Sequence, residues 1–178
     1  LKRYDKEPLL SVTQERGVIP RDLLEGRVTM PAGDVGTFKL VEPGNFVISL
    51  RSFQGGLEHS AYRGVVSPAY TVLRASREID ERFFRHYFRS ADFIKRLAVA
   101  VIGIRDGKQI HFQDFCSIRL PFPPLKKQRA ISVVLDEAER EIALLRKQVD
   151  AFRRQKRGLA KKLQTGQWHF DLPKSAVA

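Results

Sequence analysis

Between Ile131 and Leu163 one set of apolar residues recurs at 131, 135, 138, 142, 145, 149, 152, 159 and 163, in steps of 4, 3, 4, 3, 4, 3, 7 and 4. That is a heptad seam held for nearly five repeats. Leu135, Ile142, Val149 and Leu163 occupy one core position, and Ile131, Ala138, Leu145, Phe152 and Leu159 the other. Lys156 takes the one core slot that is not apolar, a placement that fixes register or orientation at some cost in stability. No proline or glycine interrupts the pattern before Gly158, so one helix is predicted over 125–165, about 60 Å long at 1.5 Å per residue. Such a helix is longer than a small domain is wide, and a stripe of this length needs a partner helix to cover it.

The segment LPFPPLKKQ, 120–128, separates this helix from what precedes it. Its three prolines force an extended entry, and Pro124 suits the first helical position, where a missing N–H costs nothing. Upstream the chain reads as mixed α and β, giving an α+β protein: a small mixed domain over 1–123, a coiled-coil helix over 124–166 and a tail over 167–178. Strands are predicted at 9–13, 38–41, 46–50 and 70–73, where β-branched and apolar residues lie between Gly, Pro and Asp. One helix is predicted over 79–97, with Phe83, Phe84, Tyr87, Phe88, Phe93, Ile94 and Leu97 at helical spacing as core residues.

Charge narrows the function. The 178 residues carry 32 Lys and Arg against 20 acids, a net +12, and the predicted long helix supplies +7 of it from 12 basic and 5 acidic residues. A polyanionic partner is expected, nucleic acid before an acidic membrane surface. The longest apolar run, 97–104, is far short of a membrane span, and neither a membrane helix nor a signal peptide is expected. The single cysteine, Cys116, allows no intrachain disulfide, which agrees with a cytoplasmic protein.

Catalytic patterns are not found. His59, His86, His111 and His169 are scattered without metal-ligand spacing, and nothing singles out Asp22, Glu25, Asp34, Glu42 and Glu58 as a nuclease metal site. No phosphate-binding glycine motif or nucleophile elbow occurs, so neither metal nor cofactor is expected, and the role expected is binding. Three clusters carry side chains suited to reading base edges, with glycine for close approach of backbone to phosphate. The stretch 51–67 offers Arg51, Ser52, Gln54, His59, Tyr62 and Arg63 around Gly55 and Gly56. Residues 104–109 offer Arg105, Lys108 and Gln109, and 14–22 add Arg16 and Arg21. Three loops of one small domain are expected to form one reading face.

Three pieces, GVVSPAY (64–70), LPFPPLKKQ (120–128) and GLAKKLQTG (158–166), occur in an order and at a spacing that resemble the specificity subunit of type I restriction-modification systems. The resemblance covers nearly the whole chain, as one target-recognition domain and one helical spacer. Two departures stand out. Lys127 occupies a place before Gln128 where the family often has an acid, and full-length members contain the unit twice where one copy is found here. The resemblance implies a subunit that is not itself catalytic and reads half of a bipartite site on double-stranded DNA. It also implies antiparallel helix pairing with a second copy of the unit, and docking of methyltransferase and restriction or translocase subunits. A coiled-coil dimeric DNA-binding regulator and a coiled-coil adaptor without DNA binding are the alternatives.

Overall fold

The computed structural model describes residues 7–24, 37–49, 56–101 and 112–168. The chain divides into two units, Leu1–Ser132 and Val133–Ala178. Among the described residues the first holds seven strands: β1 (Leu10–Thr13), β2 (Gly17–Pro20), β3 (Lys39–Val41), β4 (Phe46–Ser49), β5 (Glu58–His59), β6 (Gly64–Val66) and β7 (Tyr70–Leu73). After them come α1 (Glu81–Tyr87), α2 (Ala91–Val101) and α3 (Phe112–Cys116), then α4 (Leu125–Gln164), which starts in the first unit and forms most of the second. This is the α+β architecture expected: small sheets of short strands and one long C-terminal helix.

All strand pairings in the sheets are antiparallel: β1 with β2, β3 with β6, and β5–β4–β7 in one three-stranded sheet. Single bridges, Leu9 with Val65 and Val18 with Ser60, connect the three small sheets. Strand β4 organises the core. Because side chains alternate along a strand, Phe46 and Ile48 pack into one apolar cluster while Val47 enters another. The first cluster adds Leu57, Phe83, Phe84, Phe88, Phe93 and Leu97; the second adds Leu10, Val18, Val41 and Val66. A strand buried on both faces reads as the continuous apolar run FVI rather than an alternating one.

The single helix expected over 79–97 is two helices. The Asp80 carboxylate accepts from the Phe83 N–H at 2.9 Å and starts α1. Ser90 Oγ accepts from Phe93 N–H at 3.2 Å and starts α2 three residues after α1 ends. A capping serine satisfies an orphan donor of a new helix, so Ser90 breaks a run of aromatics that would otherwise read as continuous. Those aromatics are core residues, as their spacing suggested. Phe88 stacks edge-on against Phe46 at 4.9 Å and lies 4.8 Å from Phe93.

Helix α4 begins one residue later than the proline rule suggested. The Pro124 carbonyl accepts from Lys127 N–H and Gln128 N–H at 2.8 and 3.0 Å, so Pro124 caps the helix from outside its first turn. At the far end Gly166 adopts φ 69°, the left-handed conformation that closes helices with least strain in glycine, and its N–H reaches the Leu163 carbonyl. No acid lies in the first turn, while Lys161 and Lys162 favour the negative end of the helix dipole.

Within α4 only Gln128 and Ser132 are buried, both in the first unit. Ile131, the first seam residue, packs against the core of that unit, so the seam open to a partner begins at Leu135. From there Leu135, Ile142, Leu145, Val149, Phe152, Leu159 and Leu163 are exposed, Phe152 to 68%. Ala138 and Lys156 are exposed between them.

Candidate nucleic-acid interface

The β1–β2 hairpin turns over Gln14, Glu15 and Arg16. Thr13 Oγ1 accepts the Arg16 N–H at 3.1 Å and donates to the Gly17 carbonyl at 2.9 Å. Gly17 completes the turn at φ 73°, and a side chain there would press within 2.8 Å of the His59 carbonyl. With the Val18–Ser60 bridge, this close approach sets the first basic cluster beside the later part of the 51–67 stretch. Arg89, at the end of α1, fastens the same corner: its guanidinium donates to the Gln14 carbonyl and lies 3.8 Å from the Glu58 carboxylate. Nothing local in the sequence marks Arg89 as the partner of a residue 75 positions away.

The stretch 51–67, read from sequence as a display loop, is partly sheet. Glu58 and His59 form β5 against β4, and Gly64, Val65 and Val66 form a wholly buried strand against β3. Gly56 also has a packing role. A Cβ there would collide with the Phe88 carbonyl, so this glycine lets the chain pass the end of α1 rather than keeping backbone free for phosphate. Among the described residues of this stretch the exposed part is the turn 61–63, held by Ser60 Oγ, which donates to the Tyr62 carbonyl at 2.8 Å and accepts its N–H at 3.2 Å.

The candidate side chains differ in where they point. Arg16 is exposed, and its Nη1 donates to the Leu23 carbonyl at 2.9 Å. Tyr62 is 40% exposed. Arg63 is exposed but engaged, its Nε 3.0 Å from Glu7 and its Nη1 3.1 Å from Glu42. Arg21 opens a short 3-10 turn; it is half-buried, and its Nε meets no hydrogen-bond partner among the described residues. His59 turns inward, its ring 5.4 Å from Phe46 and its Nε2 3.4 Å from the Glu81 carboxylate. Arg51, Ser52, Gln54, Arg105, Lys108 and Gln109 lie outside the described residues.

Burial governs the charges beneath this corner. Desolvation holds the Glu58 carboxyl above its ordinary range against the pull of Arg89. Desolvation also holds His59 below its usual value, though the Glu81 hydrogen bond and charge oppose it. At Asp80 burial raises the carboxyl, but the Phe83 N–H, Arg82 and Ser132 together outweigh it and leave the group low. Glu42 is ion-paired with both Arg63 and Arg74, and Glu58 faces Arg89. These two acids therefore serve the fold's own arginines, and the corner they leave at the surface is Arg16 and Tyr62, with Arg63 exposed but held by Glu7 and Glu42.

No protein-family profile matches the chain. It is similar to a protein of Methanocaldococcus jannaschii named "Putative type I restriction enzyme MjaX specificity subunit", with 27% identity over 128 residues. The matched stretch covers 72% of this chain and 30% of that protein, so the chain corresponds to less than a third of its relative's length.

Proposed function

We propose that this chain is a DNA-reading unit of a type I restriction-modification specificity subunit, non-catalytic and without a cofactor. It takes one half of a bipartite duplex site and positions methyltransferase and restriction subunits beside it. The similarity over 128 residues to a protein named as such a subunit carries the reading. Two features of the fold support it: the joined corner of the β1–β2 hairpin and β5, and the exposed seam of α4. In this reading residues 1–123 are the reader, 124–166 the spacer and 167–178 a tail. The base-contacting set is drawn from Arg16, Arg21, Arg51, Ser52, Gln54, His59, Tyr62, Arg63, Arg105, Lys108 and Gln109. Leu135 to Leu163 pair antiparallel with a second copy of the unit. A helix of about 60 Å spans less than two turns of B-DNA, enough to hold readers on successive major grooves. Restriction and modification partners of this kind work where the DNA is, which agrees with a cytoplasmic site. Among the described residues no helix is long and apolar enough to cross a membrane.

Selection of bound duplexes from a randomised pool, using the chain with its methyltransferase partner, tests the reading. Enrichment of a short half-site, or of an inverted repeat of it, is expected. A pool that returns without sequence preference would remove the reader function. Alanine at Arg51 or Arg105 should lower binding to the selected duplex more than to random duplex; equal losses would make these residues phosphate anchors.

A further inference from the structure

A cavity of about 260 Å³ opens in the first unit between the chain leaving β7, helix α1 and the extended segment before α4. Its floor is hydrocarbon: Phe46, Leu57, Phe84 and Phe88 are buried core residues, and Leu73 and Ile79 extend it into the wall, where the exposed Arg74 and Ser76 also lie. Leu120 and Phe122 stand at the mouth, 40% and 41% exposed. Arg77 lies over the Phe122 ring, its guanidinium carbon 3.8 Å from the ring centre.

Three physical arguments narrow what this cavity holds. Ligand pockets for cofactors and metabolites run to roughly 300–1,000 Å³, so this space suits one or two large side chains. The buried floor has no side-chain donor or acceptor, the polar lining residues Arg74, Ser76 and Arg77 all being exposed, so a nucleobase placed against the floor would lose hydrogen bonds its edge makes in water. Arg77 has no carboxylate partner among the described residues, whereas its neighbour Arg74 is paired with Glu42. Stacking on Phe122 holds the Arg77 plane at the rim and leaves N–H edges to donate, a geometry matched to a carboxylate. Prolines at 121, 123 and 124 fix the wall that carries Phe122, so little entropy is lost in forming the mouth.

We propose that the cavity is a docking site for a partner polypeptide that inserts a tryptophan or phenylalanine side chain and lays an adjacent carboxylate on Arg77. The site is separate from the reading corner, and it stands whether or not the chain reads DNA. The test is a titration of the full chain, carrying isotope-labelled Leu and Ile methyls, with the tripeptide N-acetyl-Asp-Trp-Glu-amide, followed by NMR. Saturable shifts are expected at Leu57, Leu73 and Ile79. Arg77→Glu, at an exposed position, should weaken the acidic tripeptide about fivefold or more, the worth of a rim ion pair. It should leave the neutral N-acetyl-Gly-Trp-Gly-amide unchanged. Absence of saturable shifts at these methyls, or an equal loss for both peptides, would overturn the proposal. So would tighter binding of adenosine than of the tripeptide, which would make the cavity a holder of bases.

Discussion

Gln128 has no exposed surface, and both ends of its amide are used. Its Oε1 accepts from the Asp80 N–H at 2.9 Å, and its Nε2 donates to the Pro123 carbonyl at 2.8 Å. The side chain thereby ties the first turn of α4 to the residue that caps α1. Gln128→Leu keeps the volume but strands both partners, at roughly 1–3 kcal/mol for each buried group left unpaired. A stability loss of about 2–4 kcal/mol is expected by urea unfolding; a loss under about 1 kcal/mol would mean that water replaces the amide. His59 gives a pH signature. Its folded pKa is lowered, mainly by burial, so the unfolded chain takes the proton first, and this contribution to stability, full above about pH 6.5, is lost as pH falls. Glu58, held high by its own burial, acts in the opposite direction at lower pH, so the comparison is made between variants. The gap in melting temperature between pH 7.5 and 6 should narrow in His59→Gln relative to the unsubstituted chain. Neither residue's role is legible locally: a glutamine after prolines and a histidine among polar residues both look like surface.

At the scale of elements, α4 was the most legible part of the chain and α1–α2 the least. A 40-residue helix declares itself by periodicity alone, and its ends fall within a residue of the predicted 125 and 165. The strands near 9–13, 38–41, 46–50 and 70–73 were equally readable, because β-branched and aromatic residues concentrate there. Strands β2, β5 and β6 escaped notice. They are two to four residues long; β5 and β6 are strands because of partners across intervening chain, as when Gly64 pairs with Val41, and β2 because it closes a tight hairpin with β1. Exposure of the seam leads to a prediction about association. Leu145→Asp should weaken pairing of the chain about 100-fold or more in sedimentation equilibrium, since a carboxylate would have to be buried in an apolar interface. Val134→Asp, exposed but off the seam, should leave it unchanged. Lys156→Leu should tighten association and loosen orientation, measurable as mixed parallel and antiparallel products in disulfide trapping.

For the whole molecule, charge sets the expected behaviour on DNA. The chain carries a net +12, and several arginines of the first unit are already neutralised by Glu7, Glu42 and Glu58. Binding to any duplex should therefore fall steeply with salt, by roughly 10³ between 50 and 200 mM if about six phosphates are contacted. Arg16→Ala should lower the slope of log affinity against log salt by about one if Arg16 meets a phosphate. If it reads a base instead, the slope changes little and the loss concentrates on the selected site. A chain that shows no duplex binding at low salt would favour the adaptor reading over the DNA reader.

The seam, the charge and the extended proline segment at 120–128 are set by spacing and composition, which act over a few turns of chain and can be read without knowing what lies opposite. The candidate corner is different. Gly17 against the His59 carbonyl, Arg89 across to Gln14, and Arg63 between Glu7 and Glu42 are contacts over long sequence separations. Which cations stay at the surface, and which are consumed by the fold's own acids, was decided only when packing brought those partners together.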